Sequence, residues 1–340
     1  MDMNLYGPRA VLAYKNFAAN KNISHIGLGV AAMNTAKSLN ARRNNAAVTP
    51  IVNAAALRAR LNDSITHVVV SAPWIPSSEW QSIISDFPDI KFAVNCHSNV
   101  GFLQADTNGM KLVREAMEIE RGSSNFHLAG NCLRFCNWVS RAYHAPCTYL
   151  PNLYYLDSAM PRAAASYGGG TLRIGAFGAT RPLKNFMSAA AAALEISSSM
   201  RVPMEFWVSS GRNEGGSGVL DSVRAMFHGL PHVKLVEAGW QSWPKFRETV
   251  RHMHLLLQPS YTESFNMVTA DGIAEGVPSV VSDAIDWAPQ HWKAPADDVC
   301  EIARVGRMLL ADTHTHHDGL IALMRHNAEG LTAWQAFLND

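Results

Sequence analysis

The segment Leu255-Leu256-Leu257-Gln258-Pro259, followed by the polar Ser260 to Asn266 and the apolar-periodic Met267 to Val277, leaves few folds open. A short apolar run stops at a proline, a polar loop offers one carboxylate, and a helical pattern begins that ends at Gly276 and Pro278. Ser279-Val280-Val281-Ser282 reads as the next buried strand, which makes the whole a βαβ unit and commits the chain to a parallel sheet. Ligands of such sheets bind beyond the carboxyl ends of the strands, where helix N-termini present free N–H groups to anions. Glu263 lies in that loop, and Asp271 lies a couple of turns up the helix. On pattern alone the two read equally as site residues and as a plain loop acid followed by a helical acid.

The same alternation runs through the first half. Ala10 to Tyr14, Pro50 to Asn53, Thr66 to Pro73, Ile90 to Asn99 and Asn125 to Gly130 read as strands. Helical spacing separates them at Ala54 to Leu61, Trp74 to Phe87, Met110 to Arg121 and Asn131 to Tyr143. Strands alternating with helices predict an α/β domain whose parallel sheet is covered on both faces. Gly27 and Gly29 follow the polar loop Asn16 to Ser24 and lead into a helix, so a ligand could approach the backbone there. Ala32 stands where a dinucleotide fingerprint needs its third glycine, so a nicotinamide site is not indicated. His97 ends its strand on a polar tip, where a structural role and a ligand contact are both open.

At 340 residues the chain has room for two cores. With 48% hydrophobic and 17% charged residues it belongs with globular proteins, not disordered ones. No apolar run reaches membrane-span length and the start carries no basic-then-apolar leader, so a soluble cytoplasmic protein without a transmembrane segment is expected. Five scattered cysteines suit free thiols in a reducing compartment. The net charge of +1 hides an asymmetry: residues 1–150 hold 14 basic against 9 acidic residues, and residues 151–340 hold 15 against 19. A basic first half favours an anionic partner, while chance scatter of solvated charges remains the plainer account.

Residues 157–170 are rich in Ala, Ser, Pro and Gly and end in Tyr167-Gly168-Gly169-Gly170, which marks a linker. Beyond it the alternation restarts. Leu172 to Phe177 is a strand, Gly178 to Asn185 a loop, and Phe186 to Ile196 an Ala-rich helix. Arg181 and Lys184, between strand and helix, form a candidate phosphate or diphosphate site. Met204 to Ser209 and Val233 to Val236 are further strands, and Pro244 to His252 a further helix. His314, His316, His317 and Asp318 read as an exposed polar loop without a metal.

Taken in order, these segments resemble the retaining GT-B glycosyltransferases of family 4. Glu263 and Asp271 match that family's E-x7-E motif, with Asp271 in place of the usual second Glu. Ser264-Phe265-Asn266-Met267 stands where a Gly- and Phe-containing turn is usual, and Ala274 to Ser282 is similar to the motif's tail. Gly178 through Lys184 resembles its phosphate-binding turn, Asn95-Cys96-His97 its strand-end histidine, Leu150-Pro151-Asn152 the segment leaving the first domain, and Gly330 to Gln335 its final helix.

The resemblance implies two Rossmann-like domains facing across a cleft. An acceptor-side domain at 1–156 and a linker at 157–170 precede a nucleotide-sugar donor domain at 171–317, and a helix at 318–340 packs back on the first domain. It implies transfer of a sugar from a nucleotide-diphosphate sugar, UDP-sugars foremost, to an acceptor hydroxyl with retention, without metal or cofactor. Arg181 and Lys184 would stabilise the leaving diphosphate, Glu263 would hold the donor sugar and His97 would contact it. Donor contacts are expected from Ser264, Phe265, Asn266, Met267, Gly178, Gly27 and Gly29, with Asp271 on the ribose. A glycan or lipid-linked sugar is the expected acceptor, with a modified DNA base as the alternative. A nucleotide-sugar epimerase or phosphorylase on the same scaffold is the competing activity, and a silent binding module the non-enzymatic one.

Overall fold

A computed structural model describes residues 9–16, 26–106, 108–157, 167–212, 214 and 218–340. Most of the loop expected at Asn16 to Ser24, much of the linker expected at 157–170 and part of the Gly211 to Gly218 loop lie outside the described residues. The chain divides into two compact units, Met1–Tyr155 with His326–Asp340, and Leu156–Arg325.

The first unit runs β1 (Arg9–Lys15), α1 (Ile26–Asn40), β2 (Asn45–Ile51), α2 (Ala54–Arg58), β3 (His67–Ser71), α3 (Ser77–Asp86), β4 (Lys91–Cys96), α4 (Val100–Leu103), α5 (Gly109–Gly122), β5 (Phe126–Gly130), α6 (Leu133–Tyr143) and β6 (Thr148–Tyr149). Its sheet is parallel throughout, in the order β2-β1-β3-β4-β5-β6. Two strands differ from expectation: the short β6 was not foreseen, and β2 is displaced. β2 starts at Asn45 and ends at Ile51, whereas the apolar pattern placed it at Pro50 to Asn53. Asn53 instead caps α2, its side-chain oxygen accepting from the Ala56 N–H at 2.8 Å. As an edge strand, β2 tolerates Pro50 and stays half exposed, so its apolar signal is faint.

Right-handed crossovers decide which face each helix covers. The chain moves from β1 to β2 in one direction and from β3 through β6 in the other, so α1 stands apart from α3, α5 and α6. The core divides accordingly. Phe92, Val94, Phe126 and Leu128 pack with Leu57, Trp80, Ile83, Val113 and Phe135 on one face. On the other, the small Ala93 and Ala129 face a layer in which α1 supplies Ala32, Ala36 and Leu39. One helix cannot cover that face, and the chain's last helix completes it with Trp334, Phe337 and Leu338.

The second unit runs β7 (Leu172–Ala176), α7 (Phe186–Met200), β8 (Met204–Ser209), α8 (Gly218–Phe227), β9 (Val233–Ala238), α9 (Trp243–Arg251), β10 (Leu255–Gln258), α10 (Met267–Ala274), β11 (Ser279–Val281), α11 (Val299–Ala311) and α12 (Thr315–Asn339). Its parallel sheet has the order β11-β10-β7-β8-β9. The helix expected from 318 begins at Thr315, and the unit boundary after Arg325 falls inside it. His316, His317 and Asp318 therefore stand in its first turn, where a polar loop was expected. The buried Trp292 donates to Thr315 Oγ1 at 2.8 Å and anchors that end of the helix, a contact no local pattern announces.

Past the boundary, α12 is bolted to the segment Leu150-Pro151-Asn152 and the residues after it. Trp334 Nε1 donates to the Pro151 carbonyl at 2.8 Å and His326 Nε2 to that of Asn152 at 2.9 Å. Asn327 bonds both the N–H and the carbonyl of Tyr154.

Candidate active site

In the second unit β7 and β10 are neighbours, and the chain leaves them for opposite edges of the sheet. Open parallel sheets bind ligands where the chain leaves two adjacent strands in opposite directions, and β7 and β10 are such a pair. Every candidate residue of this unit lies on these two loops or on the helix after the second.

After β7 the chain turns at Gly178, whose φ of +123° is closed to other residues without strain. The Gly178 N–H donates to Ser209 Oγ at 3.2 Å and Thr180 Oγ1 to the Ser209 carbonyl at 2.7 Å, which ties the turn to the end of β8. Pro182–Lys184 forms one 3₁₀ turn, and Asn185 then donates through Nδ2 to the Pro259 carbonyl at 3.0 Å. The Tyr261 N–H donates to the Leu183 carbonyl, also at 3.0 Å. The two loops are thus stitched together, by one backbone bond and one from the Asn185 side chain.

That stitching brings Lys184 and Glu263 into contact. Lys184 Nζ donates to Glu263 Oε1, and the two side chains are only 11% and 8% exposed. Burial works to raise the Glu263 carboxyl, but the charge and hydrogen bond of Lys184, the charge of Arg181 and the Ser260 hydroxyl outweigh it, so the group stays below the usual carboxylate range. Arg181 Nη1 meets Glu214 at 2.7 Å, and Arg212 meets the other oxygen of the same carboxylate at 2.5 Å. Glu214 behaves alike: burial opposes its charge, and Arg181, Arg212 and Lys184 carry it below the usual range.

The turn into α10 carries the rest. Asn266 adopts a left-handed conformation (φ +69°) and caps the helix, its Oδ1 accepting from the Thr269 N–H at 2.9 Å. Its Nδ2 donates to Glu263 Oε1 at 3.1 Å and to Gln258 Oε1 at 3.2 Å. Phe265 is buried against Trp287, whose Nε1 holds the Phe265 carbonyl at 2.6 Å. Ser264 and Met267 are half-buried. Gly272 lets α10 lie close on β10, since a Cβ there would come within 2.7 Å of Leu256 Cδ1. Asp271 is buried and accepts from Trp243 Nε1 at 2.9 Å. One turn further, the buried Glu275 meets Arg247 at 2.5 Å and Arg251 at 2.7 Å, which clamps α10 to α9.

The structure therefore brings Gly178, Arg181, Lys184, Glu263 and Asn266 together, with Ser264, Phe265 and Met267 in the same turn, while Asp271 lies further along α10 against Trp243. Sequence reasoning missed Glu214, Trp243, Gln258 and Trp287, which the fold delivers from other loops and strands. An acid inside a Gly-rich loop was the one available signal, for Glu214.

Gly27 and Gly29 lie in the first turn of α1 in the first unit. A cavity of about 260 Å³ opens there at the ends of β1, β3 and β4, lined by Lys15, Trp74, Ser98, Asp106 and Asn108 among others. Lys15 Nζ sits 5.1 Å over the Trp74 ring, which is pinned by its Nε1 to the Ser71 carbonyl at 3.2 Å. Burial holds the Lys15 ammonium below its ordinary pKa. Ala72, in the cavity wall, has a φ of +70°, a strained backbone of the sort that clusters at binding sites.

His97 follows β4, with Asn131 Nδ2 at 3.4 Å from its Nδ1. An amide donor there makes Nδ1 an acceptor and the ring neutral. Burial pushes His97 down to about 4, and burial with the charge of Lys91 pushes His67 to about 4 as well. Both histidines prefer the neutral form when folded, so the unfolded chain binds more protons below its histidine pKa of about 6.5. Thermal stability is expected to fall as pH drops from about 6.5 toward 4. His67→Gln and His97→Gln should each flatten that slope in melting curves taken across the window, and a slope unchanged in both would contradict the assignment.

Among the described residues, no group of three or more His, Cys, Asp or Glu is placed to hold a metal ion. Among them, too, no helix is long and apolar enough to cross a membrane.

Two parallel-sheet α/β units with these topologies define the GT-B fold of glycosyltransferases, and solved structures match it over nearly the whole chain. The UDP-forming α,α-trehalose-phosphate synthase from Burkholderia xenovorans, in complex with glucose-6-phosphate, has a TM-score of 0.69 and 11% identity, covering 98% of this chain and 100% of that one. The N-terminal domain of Candida albicans trehalose-6-phosphate phosphatase has a TM-score of 0.67 and 8% identity, over 99% and 98% of the two chains. A mutant of S. aureus TarM, in complex with fondaparinux, α-GlcNAc-glycerol and UDP, has a TM-score of 0.59 and 12% identity, over 80% of this chain and 55% of that one. Identities this low establish the fold alone. No family model and no curated protein matches the sequence.

Proposed function

We propose that this protein is a retaining glycosyltransferase of the family 4 type, moving a sugar from a nucleotide-diphosphate donor to an acceptor hydroxyl. The observation that carries the reading is the meeting of Lys184 and Glu263 at the end of two adjacent parallel strands, with Arg181 on the same loop as Lys184. Breaking the bond between sugar and diphosphate leaves negative charge on the departing phosphate, and cations gathered beside it stabilise that charge as it develops. Lys184 and Arg181 are each paired with a carboxylate. A diphosphate competes for both cations and releases Glu263 to bind donor-sugar hydroxyls. Asp271, with one oxygen held by Trp243, is assigned the ribose.

A UDP-sugar is the first donor to try, because UDP is the nucleotide named for two of the similar structures. The acceptor is assigned as a sugar or glycan hydroxyl, and the cavity beside Lys15 and Trp74 is the part of the first unit that suits one. The role of His97 at the donor sugar rests on the resemblance alone.

The test is a screen of UDP-, GDP- and ADP-sugars for nucleotide release, with sugar, lipid-linked and DNA acceptors supplied in turn. Acceptor-dependent release is expected, and Arg181→Ala should lower it by about a hundredfold or more. No release from any donor, together with no thermal shift by UDP, GDP or ADP, would sink the reading. An isomerised donor without nucleotide release would replace it with an epimerase.

A further inference from the structure

Asn266 occupies a position that costs something to occupy. Its φ of +69° lies in the left-handed region, where glycine is at ease and other residues are strained. Asparagine tolerates that region better than most side chains, and it brings a donor and an acceptor in one rigid amide. Both ends are used. Oδ1 accepts the Thr269 N–H at the start of α10, and this fixes the amide's orientation, because a flipped amide would set a carbonyl oxygen against the Glu263 carboxylate. Nδ2 then necessarily faces Glu263 Oε1 and Gln258 Oε1. Gln258 is itself held, its Nε2 donating to the Phe177 carbonyl at 3.3 Å.

Glu263 Oε1 is therefore held by two donors of different kinds. Lys184 is a mobile cation on a flexible stem, and in the proposed reaction it turns to the diphosphate. Asn266 cannot leave, because its amide is locked by the helix cap. We infer that Asn266 is a positioning residue for the Glu263 carboxylate, keeping it aimed at the donor sugar after Lys184 has been drawn to phosphate; this rests on the function proposed above. This indirect role stands beside the donor contact expected of Asn266.

The charged groups acting on Glu263 are Lys184 and Arg181 on the β7 loop, with Glu214 paired to Arg181. Asn266→Asp keeps an acceptor for the helix cap but replaces the donor to Glu263 with a second negative charge. The Glu263 titration, followed by NMR of 13C-labelled glutamate carboxyls and assigned with Glu263→Gln, should move up by about one pH unit or more. The acid limb of the kcat/KM profile for the donor should move with it, and kcat/KM at neutral pH should fall at least about tenfold. Asn266→Gly removes the donor and the strain together, so it should fold with a Tm near that of the parent yet lose activity about tenfold.

A Glu263 titration unmoved in Asn266→Asp overturns the inference, whether or not the protein turns over any UDP-sugar. A moved titration with kcat/KM within about twofold of the parent also overturns it, since Asn266 would then hold Glu263 without serving the reaction. A parent protein that releases no nucleotide from any donor fails the function proposed above, and takes the positioning role for that reaction down with it.

Discussion

Lys184→Met is expected to unfold at markedly lower denaturant than the parent and to lose sugar transfer by about a hundredfold or more. The stability loss follows from burial. Glu263 is 8% exposed, and without Lys184 its carboxylate keeps the desolvation penalty while losing the partner that offsets it. Breaking a buried pair on one side typically costs about 3–5 kcal/mol. The pH dependence should change sign as well. In the parent, Glu263 titrates below its unfolded value, so the stability it lends is present above that value and is lost as pH falls through the folded pKa. In Lys184→Met burial loses its main opponent, the carboxyl titrates higher, and stability is lost as pH rises toward neutrality. Adding Glu263→Gln should restore most of the denaturant midpoint without restoring transfer. A single variant as stable as the parent at pH 7 would show that the pair is not a buried one in solution.

Trp334→Ala is the second large effect, and it belongs to the first unit. Trp334 is 2% exposed and sits with Leu12, Leu150, Leu153, Phe337 and Leu338, over Ala93 and Ala129. Removing it loses the buried indole and its bond to the Pro151 carbonyl, and leaves a void that alanines below cannot fill, a loss of about 3–5 kcal/mol. The second unit does not contain this residue. Calorimetry should therefore show the transition of the first unit moving down, with nucleotide-induced stabilisation of the second unit retained. Loss of nucleotide binding in parallel with the first transition would show that the two units unfold as one.

Much of this fold was legible because parallel strands are buried on both faces and stop at glycine and proline. His67–Ser71 and Leu255–Gln258 are wholly buried runs, and both were readable. The edge strand β2 was not, because its small, half-exposed residues carry no continuous apolar signal. His316 and His317 read as loop because their polarity is local, while the helix that takes them up is anchored by Trp292 from another segment. At the site, Arg181, Lys184 and Glu263 could be placed on their loops from turn chemistry alone. Their pairing could not be, since Lys184 and Glu263 are 79 residues apart and meet only because β7 and β10 are neighbours. Asn266 was the instructive case. The sequence places it only in a turn where the resemblance expects a donor contact, and the left-handed backbone sets its side chain into the helix cap and onto Glu263.

By itself the sequence determined the α/β class, the parallel sheets and the strand-to-helix loops that carry the polar groups, because burial periodicity and turn residues act over a few neighbours. The tertiary structure alone decided which loops lie side by side and which acid pairs with which cation. Those outcomes depend on strand order and crossover handedness, which join residues far apart in sequence and leave no trace in any local pattern.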